Sequence, residues 1–122
     1  MDYILVALGG AFGAALRLLL SKLLPQALFG IPFPILFVNI LGCFTMGIST
    51  EIMALYWSPP ENIKYFLLPG FLGGFTTFST FSVEFGLLFE KNELLLAFSY
   101  VALSVCLSIL FFFVGMKIVR LF

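Results

Sequence analysis

Four apolar runs, each long enough to cross a lipid bilayer as a helix, account for most of this chain and leave little for anything else. Crossing the hydrocarbon takes about 20 residues of helix. The runs cover about residues 3–24, 35–56, 63–89 and 94–119. The first is closed by Pro25, and the second ends on Tyr56 and Trp57, amphipathic rings of the kind that collect at a membrane surface. Ser58-Pro59-Pro60-Glu61-Asn62 and Glu90-Lys91-Asn92-Glu93 read as plain turns. The connector from Gln26 to Pro34 carries Gly30 and Pro32 and is placed partly at the interface. These features predict an all-α membrane protein with four transmembrane helices, built as a single domain over residues 1–122.

Composition agrees and excludes several function classes. The chain is 62% hydrophobic and 10% charged, against about 25% charged in soluble domains, and its mean hydropathy is +1.20. Six basic and six acidic residues cancel, so nothing recruits nucleic acid or a polyanionic surface. There is no nucleotide motif and no His, which removes the usual general base and metal ligand. Cys43 and Cys106 lie far apart in apolar surroundings without metal-ligand spacing, and read as buried, inert thiols. The N-terminal run lacks a basic leader segment and outlasts a signal-peptide core of roughly 7–15 residues, so it is read as a retained span.

Charge placement bears on orientation. An even number of spans puts both termini on one side, with Lys64, Lys117 and Arg120. The other side holds Lys22 and Lys91, with Arg17 deeper in the first run. Orientation normally follows a Lys/Arg excess, and neither side has a clear one. Either a small bias or an assembly partner decides it, or the chain inserts both ways and pairs as an antiparallel homodimer.

The third run is unlike a plain span. Glycines at 70, 73 and 74 precede Thr76, Thr77, Ser79, Thr80 and Ser82, threaded with Phe75, Phe78 and Phe81. Glycine permits non-helical backbone, and Thr and Ser bond to nearby backbone groups in place of the helical ladder. The spacing predicts a helix broken near mid-membrane, around 73–77. Irregular backbone survives at that depth only when buried in protein or lining a wet cavity, which points to a pore. Contact faces are expected at small residues, namely the GxxxG of Gly9 and Gly13, the row Ala7, Ala11, Ala15, and the pair Cys43 and Gly47.

The run Gly73-Gly74-Phe75-Thr76-Thr77-Phe78-Ser79-Thr80-Phe81 resembles the signature of the small dual-topology fluoride channels, the CrcB/Fluc family. Gly9-Gly10-Ala11-Phe12-Gly13-Ala14-Ala15-Leu16-Arg17 and Asn39-Ile40-Leu41-Gly42-Cys43-Phe44 are similar to its other two motifs, in the same order, so the likeness covers nearly the whole chain. It implies a fluoride-selective channel that passively exports fluoride across the bacterial inner (plasma) membrane. Phe78 and Phe81 would form an aromatic box, Asn39 would line the ion path, and Arg17 would sit by the aqueous vestibule. Ser79 and Thr80 would be hydroxyl helpers, and a polar track would run along the fourth span. A structural Na+ would be held at the dimer interface by the backbone carbonyls of Gly73 and Thr76.

The residues support parts of this on their own, and leave alternatives open. Asn39 lies inside a span, where a polar side chain faces the bundle interior or water; it either bonds helix to helix or offers NH2 donors to an anion. Phe78 and Phe81 share a helix face; they either pack or turn their positive ring edges to an anion. Tyr100, Ser104 and Ser108 recur at helical spacing, as hydroxyls bonded back to their own helix or as a track. Phe112 stands where that track would continue. Arg17 either pairs with Glu84 or snorkels to the interface. Glu84 carries the sign that opposes an anion route, and Glu51 is placed at the interfacial end of the second span.

Two other classes compete. A small multidrug-type proton antiporter is also short and four-spanning, but needs a protonatable carboxylate at a central site, where the first span offers Gly9 to Ala15. A non-conducting assembly subunit would leave the hydroxyls and aromatics without purpose.

Overall fold

Helix formation follows the apolar runs, interrupted where glycine and proline intervene. The computed structural model describes residues 2–122. In order, the elements are α1 (Asp2–Leu23), strands β1 (Ala27–Leu28) and β2 (Ile31–Pro32), α2 (Phe33–Leu55), α3 (Glu61–Tyr65), a π-helical segment (Phe66–Leu72), α4 (Gly73–Phe75), α5 (Ser79–Glu90) and α6 (Leu94–Arg120). By length and composition, four helices can cross a membrane: Asp2–Leu23, Phe33–Leu55, the composite Glu61–Glu90, and Leu94–Arg120. The fold is thus predominantly helical.

A small hairpin departs from the all-α expectation. Ala27 pairs with Pro32 and Leu28 with Ile31, across a two-residue loop in which Phe29 (φ 56°) and Gly30 (φ 82°) are both left-handed. Two positive φ values are what a tight hairpin turn requires of its central residues. Pro34 belongs to the first turn of α2 rather than to the connector, a position where a missing amide costs no helical bond.

The third span carries two irregularities, and the first lies outside the stretch singled out from the sequence. Pro69 falls inside the π-helical segment. It has no amide to donate to the carbonyl four residues earlier, and the wider π register accommodates the loss. The Gly73 amide still bonds five residues back, to the Leu68 carbonyl. The last helical bond runs from the Thr76 amide to Leu72 O at 3.0 Å, Thr76 is itself extended (φ −82°, ψ 155°), and α5 resumes at Ser79. At its far end the Asn92 amide bonds to Phe89 O and the Glu93 amide to Leu88 O, at 3.0 and 3.1 Å. Asn92 takes a left-handed φ of 61°, which makes a Schellman ending.

Glycines set how closely the spans approach. A Cβ at Gly9 would strike the Phe66 carbonyl, and one at Gly13 the Phe71 carbonyl. The expected GxxxG therefore packs α1 against the irregular third span of the same chain. Gly47 lies against the Phe112 carbonyl and Gly115 against the Phe44 carbonyl, which brings α2 and α6 together backbone to backbone. Their termini are clamped by Arg120, whose Nε donates to Glu51 Oε1 at 3.0 Å. Glu51 is thus buried against the end of α6, in the last turns of the second span. The core gathers Ile35, Leu36, Phe81, Leu88, Ala97 and Tyr100.

Gly13→Ala should destabilise the protein by about 1–3 kcal/mol through overpacking against fixed backbone. Gly86→Ala, where a Cβ meets nothing within 4 Å, should be neutral or stabilising by up to about 1 kcal/mol. Unfolding midpoints in a denaturing-detergent titration compare the two, and equal midpoints would contradict the packing account.

Candidate functional site

The non-helical residues between α4 and α5 expose backbone groups that need partners, and α2 supplies one. Asn39 Oδ1 accepts the Thr77 amide at 2.8 Å, and Asn39 Nδ2 donates to the Thr77 carbonyl at 3.0 Å. One carboxamide thus satisfies both backbone groups of one residue. The Thr77 hydroxyl in turn accepts the Thr80 amide at 3.2 Å, in the manner of an N-cap for α5. It also lies 3.2 Å from Ser79 Oγ.

These bonds divert donors from two carbonyls. In an unbroken helix the Thr77 amide would serve Gly73 O and the Thr80 amide Thr76 O. Both are bound elsewhere. Thr76 O instead receives Arg17 Nη1 at 3.4 Å, longer than a good N–H···O bond. Arg17 therefore points to this backbone and not to Glu84.

Beside Asn39 lies an open cavity of about 250 Å³, whose wall includes Asn39, Thr77, Phe78, Phe81, Ser104 and Ser108. The fold thus brings together five of the residues singled out from the sequence. Phe78 and Phe81 have ring centroids 5.3 Å apart at 58°, with Phe81 buried and Phe78 75% exposed. Ser104 is buried, and its hydroxyl has no hydrogen-bond partner among the described residues.

Other expected members stand apart from this wall. Tyr100 is fully buried, with its ring 5.0 Å from that of Phe81. Its hydroxyl donates to Glu84 Oε2 at 2.6 Å, a short, charge-assisted contact if the carboxyl is ionised. Ser79 is exposed, and Thr80 Oγ1 receives Thr77 Oγ1 at 3.4 Å. Arg17, Ser79, Thr80 and Tyr100 do not line the cavity.

The reading of both cysteines as buried needs correction. Cys106 is exposed on α6 and Cys43 is half-buried, because Cys43 also lines the cavity. Sequence reasoning gave Cys43 only a packing role and gave Thr77 none beyond the break. The signal for Thr77 was its position two residues past the end of α4, where a hydroxyl can cap the next helix. Among the described residues, no cluster of three or more His, Cys, Asp or Glu could hold a metal.

Comparison with known proteins matches a family model described as "CrcB-like protein, Camphor Resistance (CrcB)" over residues 4–116. The chain belongs to this CrcB family. It is 45% identical to a protein of Chelativorans sp. named "Fluoride-specific ion channel FluC", over 95% of this chain and 94% of that one. Proteins of Rhizobium etli and Granulibacter bethesdensis with the same name are 40% and 39% identical, over 96% and 98% of this chain and 94% and 95% of theirs. With four bilayer-length helices, this member of the family is a multi-pass membrane protein.

Replacing Tyr100 by Phe removes the Glu84 partner and leaves a part-buried carboxyl with one bond fewer. The expected cost is about 1–3 kcal/mol, read as a lower unfolding midpoint in detergent. Glu84→Gln, which keeps an acceptor for the phenol, should cost less than Tyr100→Phe.

Proposed function

We propose that this chain is a fluoride channel of the bacterial inner membrane, conducting passively as an antiparallel, dual-topology homodimer. The observation that carries the reading is the cavity wall itself. Asn39 from α2, Phe78 and Phe81 from the third span, and Ser104 and Ser108 from α6 face one space, in a chain whose relatives are named fluoride-specific channels.

That wall offers what a small, strongly hydrated anion requires. Asn39 uses one N–H on the Thr77 carbonyl, and an amide carries two, so one remains for a ligand. Ser104 brings an unpartnered hydroxyl. Aromatic edges carry partial positive charge, and they solvate an anion without a full charge that would hold it. Selectivity then follows from narrowness and from donors that replace the hydration shell. Arg17, Ser79, Thr80 and Tyr100 complete the proposed path: Arg17 raises local anion concentration, and the hydroxyls act nearer its ends. The antiporter reading lacks its essential group, since α1 carries no carboxylate beyond Asp2.

The homodimer rests on the irregular third span, read as a helix broken near mid-membrane. Each copy contributes two carbonyls, Gly73 and Thr76, whose helical donors are bound elsewhere. Gly73 is exposed on the surface of the single chain. Two copies crossing there bring four such oxygens together, which suits a hard monovalent cation, and we assign a structural Na+ to them. The Thr76 oxygen has two lone pairs, so the long Arg17 contact leaves one free. When bound, Na+ would supply a positive charge that offsets the repulsion between converging carbonyl dipoles.

Purified protein in liposomes loaded with fluoride or chloride should release fluoride and retain chloride, as read by ion-selective electrodes. Phe78→Ile and Phe81→Ile should each lower fluoride release at least tenfold, with the dimer intact by size-exclusion chromatography. Wild-type release in both variants reduces the rings to packing, and retention of fluoride by the wild type ends the channel reading.

Insertion in both orientations is tested separately in intact cells, with Cys43 and Cys106 changed to Ser. Glu93→Cys is the reporter, because Glu93 is exposed in the same turn, lies outside the Lys/Arg balance that sets orientation, and avoids the left-handed conformation of Asn92 that Cys rarely adopts. An impermeant thiol reagent should label about half of the Glu93→Cys chains, as weakly biased insertion requires. Labelling of nearly all or nearly none, in chains that conduct fluoride, means a single orientation.

A further inference from the structure

Next to the cavity walled by Asn39 and the phenylalanines lies a second, of about 200 Å³. Cys43, Thr76, Ser108 and Ile109 belong to the walls of both. The other lining residues of the second are Gly42, Met46, Leu72 and Phe112, none with a polar side chain. Cys43 therefore stands at the junction where a lining with amide and hydroxyl donors gives way to an apolar one. Ser108, from α6, lines the same junction. A turn away, Ser104 also lines the first cavity, and its buried hydroxyl has no hydrogen-bond partner among the described residues, which leaves a proton for water or a ligand there.

We propose that Cys43 lines the neck of the ion path, and that it is a modification site at which small thiol-directed electrophiles close the channel. The inference rests on the fluoride-channel reading and adds a point of control to it. The chemistry gives an order of reactivity opposite to that expected from surface exposure. A thiol reacts as its thiolate, and a thiolate forms only where water reaches. Cys106 is exposed, but on a bilayer-length helix that surface meets lipid or the second copy and not bulk water. Cys43 is less exposed, but lies on a wall shared with Asn39 and Ser104. Cys43 should react first.

The probe is methyl methanethiosulfonate, which is neutral and small. The Cys43 sulfur bonds to the methylthio sulfur, the bond from that sulfur to the sulfonyl group breaks, and the thiol proton leaves with methanesulfinate. The added methylthio group fills part of the neck. Liposomes carrying the wild type, Cys106→Ser or Cys43→Ser are treated, and fluoride release is measured alongside intact mass. The mass gain of one methylthio group should precede a second, and its site should be Cys43 by peptide mapping. Fluoride release should fall at least tenfold in step with that first addition in the wild type and in Cys106→Ser, and return on reduction with dithiothreitol. Cys43→Ser, whatever its own rate, should show no response.

Methylthiolation of Cys43 without loss of release overturns the neck assignment, as does modification of Cys106 while Cys43 stays untouched. Untreated wild type that releases no fluoride overturns the channel reading, and the inference falls with it.

Discussion

The pairing of Asn39 with both backbone groups of Thr77 is the interaction on which the rest of this structure depends. Within a bilayer, an amide and a carbonyl released from the helical ladder find no water to replace it. Each lost bond costs several kcal/mol when left unmade in hydrocarbon. Helical bonding stops after the Thr76 amide, and at Thr77 one side chain from α2 closes the deficit in both directions at 2.8 and 3.0 Å. Without it the cheaper state of the third span is a continuous helix, which would turn the following phenylalanines to other faces and close the two carbonyls. The open wall and the carboxamide are therefore one feature, since the side chain that offers a donor to the cavity also holds the cavity's floor in place.

Close approach of the spans follows from the same scarcity of driving force. Between helices in lipid there is little hydrophobic gain, so association relies on packing and hydrogen bonds. Gly9 and Gly13 let α1 reach the backbone of the third span, and a Cβ at Gly74 would lie 2.7 Å from the Gly10 carbonyl. At Gly42 an added Cβ would meet the Thr76 methyl. The glycines thus place backbone against backbone on both sides of the non-helical residues, and fix where Thr76 and Thr77 stand. The Glu51–Arg120 pair clamps the other end of α2 and α6. Burying that carboxylate is costly on its own, and its partner arrives from the last turn of α6, where a cation also suits the helix dipole.

Much of this was legible in the sequence. Four bilayer-length runs follow from hydropathy, and the glycines and hydroxyls of 70–82 mark unusual backbone. The π-helical segment escaped because Pro69 was read as one more residue of a span, although a missing amide has to be absorbed somewhere in the ladder. The hairpin escaped because Phe29 is a poor predictor of a left-handed turn, and only its neighbour Gly30 signals one. Partners of buried charges were not legible. Glu51 and Arg120 are 69 residues apart, and nothing in their local sequence joins them. Arg17 and Glu84 carry opposite signs on neighbouring spans, yet each has a closer partner in the fold: the Thr76 carbonyl and the Tyr100 hydroxyl.

The donors of the proposed path are not equivalent, and bookkeeping of their protons separates them. A phenol has one proton to give, and that of Tyr100 is held by Glu84 at 2.6 Å. An anion reaching Tyr100 must therefore displace a carboxylate, or meet it protonated. Ser108 lines both cavities beside Cys43. Ser104 has no competitor among the described residues, and Asn39 has one N–H beyond its bond to Thr77. Free donors are thus found at Asn39 and Ser104, on the wall shared with Phe78 and Phe81, while the Tyr100 end of the hydroxyl row is engaged. An unpaired hydroxyl in the interior costs about 1–3 kcal/mol. Leaving Ser104 in that state is unfavourable for the fold alone, and a passing ligand or water that accepts its proton recovers the loss at the place where the rings and the amide converge.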